Sequence, residues 1–128
     1  MFASRVKLER RLVQLMILVS ARLASAQFAW FIHEPHVLKL GISSEIVDAI
    51  RERRTPYFNR DDERLVYEIT LELNGTRTLS EPTYNQGMEI FGEQRMVELV
   101  AAVGFYVMVA MTLNAFEVPV PDDLKPLP

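Results

Sequence analysis

The stretch RMVELVAAVGFYVMVAMTLNAF, residues 95–116, decides the fold of this chain. No side chain from Leu99 to Phe116 carries a formal charge, and the run is too long for a single strand. A run of this kind is either a transmembrane helix or the central helix of an α-helical core. Acidic residues, beginning with Glu117, follow it directly in place of the Lys or Arg that anchor a membrane span. The sequence therefore predicts an all-α protein with a long buried C-terminal helix and no membrane contact.

The bulk composition narrows the class of protein. With 128 residues the chain has the length of one domain, which we assign to residues 1–128. The 14 Lys and Arg against 17 Asp and Glu give a net charge of −3, which argues against nucleic acid as a partner. No cysteine is present, so disulfides, thiolate nucleophiles and sulfur-ligated metals are excluded. The hydrophobic fraction of 49% is high enough to predict that part of it covers a subunit interface.

The first 26 residues superficially resemble a signal peptide, with a basic start, an apolar middle and small residues. Glu9 and Gln14 interrupt the apolar segment, and Arg22 follows it. The same pattern continues at helical spacing into Trp30. We therefore expect this segment to be a helix of the folded domain and the protein to be cytoplasmic.

Hydrophobic spacing and capping residues predict about six helices. Ser43 and Ser80 are suited to cap helix starts, Pro35 interrupts one helix, and Gly75 and Gly92 are suited to end two others. The predicted helices cover residues 6–24, 25–40, 43–53, 61–74, 80–92 and 95–114. Residues 117–128 contain four prolines and are predicted to be an extended tail.

The most reactive side chains in an apolar setting lie in QFAWFIHEPH, residues 27–36, which holds both histidines and the only tryptophan. On a helix, His33 shares a face with Ala29 or Trp30, so its imidazole is placed to enter a pocket lined by the indole. A neutral imidazole there is a candidate general acid or base. The alternative is a core histidine bonded to a backbone carbonyl.

Two further features carry ionisable side chains, the HEPH motif and Glu98. His33 and His36 are the first and last residues of the motif HEPH. This motif lacks the HExxH zinc spacing and has no third ligand nearby, so neither a metal nor another cofactor is predicted. Glu98, at the start of the long helix, faces water, pairs with an Arg such as Arg22, or enters the pocket. Water exposure is favoured because a negative charge in the first turn suits the helix dipole.

Three long stretches together carry a resemblance to a known family. They are RLVQLMILVSAR (residues 11–22), FAWFIHEPHVLKLGIS (residues 28–43) and ELVAAVGFYVMVAMTLNAFEVPVP (residues 98–121). In this order they resemble the helix before the active site, the helix with a fixed His-to-Gly interval, and the closing helix of the carboxymuconolactone decarboxylase-like proteins, relatives of alkylhydroperoxidase D. The resemblance implies an alkylhydroperoxidase D-like helical fold and a homo-oligomer, a trimer or hexamer, with active sites close to subunit contacts.

The peroxidase branch of that family uses a CxxCxxxH motif, helped by a Glu on the preceding helix. Aligned on His33, the two cysteine positions are Ala26 and Ala29, and the Glu position is Gln14. Cysteine-based peroxidase chemistry is therefore excluded. Many members without the thiols have a Glu just before the Trp, where this chain has Ala29. Trp30 and His33 are what remain of the family's constellation.

Two functions are compatible with these residues. The first is a decarboxylase- or isomerase-like acid–base catalyst acting on a small carboxylate or lactone. In it His33 moves the proton, Trp30, Gln14 and Ala29 shape the pocket, and Arg22 pairs with the substrate carboxylate. The second is a catalytically degenerate oligomer that binds a small apolar ligand or serves as a scaffold.

Overall fold

The computed structural model describes residues 7–121 and 126–128 of the chain. This part of the chain folds into five helices and contains no strand, which confirms the all-α prediction. The helices are α1 (Arg10–Leu23), α2 (Gln27–Lys39), α3 (Ser44–Arg51), α4 (Asp61–Thr76) and α5 (Glu81–Ala115). Val6, where the first helix was expected to begin, lies outside the described residues.

Local sequence signals set the starts of two helices, α3 and α5. The Ser43 hydroxyl accepts hydrogen bonds from the backbone N–H groups of Glu45 and Ile46, at 3.1 and 3.2 Å. The Ser80 hydroxyl likewise accepts from the N–H of Thr83, so both predicted N-caps are confirmed. The expected end of α4 at Gly75 is wrong by a residue or two. The helix runs to Thr76, because Arg77 adopts the left-handed conformation that terminates it.

The count of about six helices becomes five because two expected helices are continuous. Gly92 has φ 79° and ψ 171° inside α5, so one residue provides the break and no connecting loop is needed. That conformation is almost restricted to glycine. The tail is non-helical over the described residues 118–121. Residues 122–125 lie outside the described part, and Leu127 packs against the core.

The most enclosed helix of the fold is α1. Each of the eight consecutive residues from Leu15 to Arg22 exposes 3% of its surface or less. A helix can be buried all round only if neighbours surround it, and α1 packs against each of the other four helices.

The long C-terminal helix is not the buried centre that the sequence predicted. Only 28% of its most apolar 18-residue window is buried within the chain, although its length and composition would also allow it to cross a membrane. Leu99, Val103 and Ala110 are buried, whereas Phe105 and Met111 are more than half exposed. The helix is apolar on all sides, but the other helices cover only one of them.

Two contacts fix how α5 lies beside α1. The Glu98 carboxylate accepts hydrogen bonds from the N–H groups of Lys7 and Leu8 at 2.9 and 3.0 Å, so the expectation that it simply faces water is wrong. Sixteen residues further along each segment, the Asn114 amide donates to the Ala24 carbonyl at 2.7 Å. The two segments therefore run parallel, side by side, over the whole uncharged stretch.

We expect Leu15→Ala to lower the free energy of unfolding by about 2–5 kcal/mol, because it opens a cavity inside the fully enclosed part of α1. Leu38→Ala, on the exposed side of α2, is the matched control and should cost about 1 kcal/mol or less. Urea denaturation at fixed protein concentration measures both. Equal losses would contradict the central position of α1.

We expect Gly92→Ala to destabilise the fold by about 1–3 kcal/mol through backbone strain alone, because no atom lies within 4 Å of the added methyl group. Gly75→Ala is the control, since Gly75 is helical and has equally open space. It should stabilise the protein by up to about 1 kcal/mol. Thermal unfolding of the two variants distinguishes these signs, and a stabilising Gly92→Ala would rule out the break.

Candidate functional site

Three helices meet at the imidazole of His33. Nδ1 of His33, on α2, lies 2.8 Å from Oε1 of Gln14, on α1. The ring of Tyr106, on α5, stands edge-on to the imidazole with the centroids 5.9 Å apart. His33 is half-buried between them. The structure therefore brings together two of the residues predicted for the site, His33 and Gln14, and adds Tyr106.

The contact with Gln14 selects one tautomer of the histidine. The amide oxygen of Gln14 carries no proton and can only accept, so with Oε1 facing the ring Nδ1 of His33 is the donor. In the neutral ring, Nε2 is then unprotonated and its lone pair is available as a hydrogen-bond acceptor or a base. The arrangement suits general base catalysis, since the ring is held by one nitrogen and can react through the other.

The surroundings of the imidazole favour its neutral form. Burial lowers the pKa of His33 below its ordinary value, and the neighbouring His36 ring, 6.1 Å away between centroids, lowers it further. Burial raises the pKa of Tyr106, which keeps its hydroxyl protonated at neutral pH. At pH 7 the site therefore offers a neutral base beside a neutral phenol.

Trp30 is buried, and the side chain that covers its indole comes from α3. The Arg51 guanidinium lies over the indole, 5.4 Å from its centroid, and also forms an ion pair with Glu34. The indole N–H is buried and has no hydrogen-bond partner among the described residues. Ala29 is buried as well, so both residues are part of the packed interior.

Arg22 lies in a different place from His33. Its side chain is buried, and Nη2 donates a hydrogen bond to the main-chain carbonyl of Pro128. Nε and Nη1 have no partner in the described parts of the chain. Burial lowers the pKa of Arg22, and the charge of Arg53 adds to this effect. Eight residues of helix, about 12 Å, separate Arg22 from Gln14, so the structure does not place the Arg22 guanidinium beside the Gln14–His33 pair.

Two open grooves mark the surface elsewhere. One, of about 390 Å³, lies where the start of α2 meets the end of α5. It is lined by Gln27, Phe28, Leu113, Asn114, Glu117, Val118, Pro119 and Val120. The other, of about 380 Å³, lies between α3 and the start of α4 and includes Arg60 and Glu63. Neither groove is lined by His33. Over residues 7–121 and 126–128, no three His, Asp or Glu side chains are grouped to hold a metal ion.

Sequence reasoning did not identify Tyr106 or Arg51 as members of the site. Tyr106 carried one usable signal, because its hydroxyl is the only polar group between Leu99 and Met111. Arg51 carried none, since it stands at the end of a short amphipathic helix where a cation is expected for the helix dipole. Only the packing of α3 on α2 places it over the indole.

The chain was also compared with known proteins. No family model matches it, and no curated protein or solved structure is significantly similar to it. The residues and their geometry therefore carry the functional argument.

We expect the His33 imidazole to titrate below the ordinary histidine pKa of about 6.5 in NMR spectra of the folded protein. His36→Gln should raise this midpoint, because it removes the second cause of the shift. With a lower pKa in the folded state than in the unfolded state, the contribution of His33 to stability is complete above pH 6.5. It is lost as the pH falls through the folded pKa. A midpoint at or above 6.5 would contradict this environment.

Proposed function

We propose that the chain is a carboxymuconolactone decarboxylase-like protein in which His33 is an acid–base catalyst acting on a small carboxylate or lactone. The observation that carries the proposal is the hydrogen bond between His33 Nδ1 and Gln14 Oε1, which leaves Nε2 as the base. In an isomerisation, Nε2 takes a C–H proton from the substrate and returns it to another carbon. In a decarboxylation, the carbanion left by loss of CO₂ takes its proton from the protonated imidazole, which regains one from water. Thiol chemistry has no part in it, because the chain has no cysteine.

The position of the site supports this proposal. The imidazole is half-buried, so a ligand that covers Nε2 completes its desolvation and strengthens hydrogen bonds made there. The phenol hydroxyl of Tyr106 is a neutral donor on the adjoining helix, suited to a carbonyl or carboxylate oxygen. Trp30 shapes the packed wall of α2, and Arg22 stays a predicted carboxylate ligand for a substrate long enough to reach it.

A second candidate function is an oligomeric scaffold or small-ligand carrier without catalysis. The exposed apolar side of α5 favours it, because such a surface indicates a protein whose assembly is part of its role. In that case the Gln14–His33 pair is a structural hydrogen bond of the α1–α2 contact. The two candidates differ in whether any compound is turned over.

We expect His33→Gln to reduce turnover of a small carboxylic acid or lactone by about 10²–10⁴-fold, the usual contribution of a general acid or base. The assay incubates the purified protein with a panel of such compounds and follows proton exchange and loss of CO₂ by NMR. Gln14→Leu keeps the imidazole but removes the hydrogen bond that favours one tautomer. This variant should therefore lower kcat while the fold is retained.

His36→Gln is the matched control, because it removes the other histidine of α2 and should leave kcat at its plateau unchanged. Turnover that survives His33→Gln would overturn the catalytic proposal. Absence of turnover across the whole panel, with a correctly folded protein, would favour the scaffold.

A further inference from the structure

One whole side of the C-terminal half of α5 is uncovered and apolar. Its residues are Val97, Val100, Ala101, Gly104, Phe105, Met108, Met111, Thr112 and Ala115, which we call the α5 face, and every one of them is exposed. None is charged. The only polar member, Thr112, donates its hydroxyl to the Met108 carbonyl at 2.9 Å and so satisfies it within the helix.

The α5 face has the spacing of a helix–helix seam. Its central line consists of Val97, Ala101, Gly104, Met108, Met111 and Ala115, separated alternately by four and three residues. This is the seven-residue repeat by which two helices stay in contact along their length. The opposite side of α5, with Leu99, Val103 and Ala110, repeats the same spacing against the rest of the fold. The α5 face is thus built like a second packing surface.

We propose that the α5 face pairs with the same face of a second copy of this chain, antiparallel about a two-fold axis level with residue 106. In that register Gly104 lies opposite Met108, and Ala101 lies opposite Met111. At the ends, Val97 lies opposite Ala115. Along this central line, each large side chain then meets a small one, as close packing of two helices requires. A parallel pair would place Gly104 opposite Gly104 and leave a void there.

The size of the α5 face is compatible with a stable contact. Its large members are between 42% and 63% exposed. At about 150–200 Å² for a fully exposed side chain of this size, they present roughly 400–500 Å² on each copy. The four small members add further exposed area. For comparison, each partner in a standard interface buries about 800 Å². Patches of this size on a lone domain mark interaction sites.

A second copy fits this face better than a lipid bilayer does. Tyr106 lies at the middle of the uncharged run, and His33 lies level with it on the neighbouring helix. The next residue of α2, Glu34, forms an ion pair with Arg51. A bilayer around α5 would therefore enclose a titratable imidazole and an ion pair at mid-depth, which is costly. A protein partner covers the face without enclosing those groups in hydrocarbon.

The pairing goes beyond the catalytic proposal and uses none of its reactive groups. It also makes the assembly contain an even number of copies, because a cyclic trimer has no two-fold axis. The expected hexamer is compatible with it, and a trimer alone is not. Phe105, whose ring stands edge-on to Tyr106 at 5.4 Å, connects the α5 face to the surroundings of His33.

The decisive experiment uses the absence of native cysteines. Val97→Cys and Ala115→Cys are prepared separately, unfolded, mixed and refolded together so that mixed pairs form, and then treated with a short bis-maleimide. In the antiparallel pair, two copies of residue 97 lie about 27 Å apart along the axis. Only the mixture should give a crosslinked dimer. Crosslinking of Val97→Cys with itself would overturn the antiparallel register, and absence of any crosslink would overturn the pairing.

Gly104→Arg tests the same surface without a crosslinking reaction. No atom of the chain lies within 4 Å of a methyl group added at Gly104, so the monomer accepts a side chain there and the pair does not. Gly75→Arg is the matched control, at an exposed helical glycine with the same open space. Light scattering at micromolar concentration should show an even assembly for the wild type and the control. Gly104→Arg should halve the mass. A monomeric or trimeric wild type, a wild type recovered only in detergent, or an intact Gly104→Arg assembly would overturn the proposal.

Discussion

The complete burial of α1 is the constraint on which the rest of this structure depends. Eight successive residues with almost no exposed surface include the side that an ordinary amphipathic helix turns to water. Every other helix must therefore lie against α1, and each takes its position along the bundle from it. Helix α2 returns antiparallel beside it, and α5 runs parallel to it between Glu98 and Asn114. These directions determine which side chains of neighbouring helices lie at the same height along the bundle.

The contacts around His33 follow from the heights at which these helices place their side chains. Gln14 stands in the middle of α1, so its amide reaches the imidazole in the middle of the returning helix. The parallel course of α5 brings Tyr106 to the same height. The same geometry separates Arg22 from the imidazole, because it lies two turns further along α1, where the main chain of Pro128 occupies one of its nitrogens. One parallel and one antiparallel neighbour thus create a compact polar site and a separate cationic one.

Features that depend on a few neighbouring residues were predictable from the sequence. The caps at Ser43 and Ser80 follow from their hydroxyl groups, and the break at Gly92 follows from its missing side chain. Which apolar helix occupies the centre was not predictable, because hydrophobic composition is the same for a helix buried by its own chain and for one covered by a partner. The sequence singled out both His33 and Gln14, which the structure joins by a hydrogen bond, whereas the guanidinium over Trp30 depends on how α3 packs and has no local signal.

Helices α1, α2 and α5 converge on one imidazole, and the contact with Gln14 favours one of its tautomers. The most direct measurement is the tautomer of His33 in solution, obtained from long-range ¹H–¹⁵N correlations of the imidazole nitrogens above its pKa. We expect Nδ1 to carry the proton and Nε2 to have the shift of an unprotonated nitrogen, with this pattern lost in Gln14→Leu. A proton on Nε2 in the wild-type protein would contradict this arrangement of the three helices.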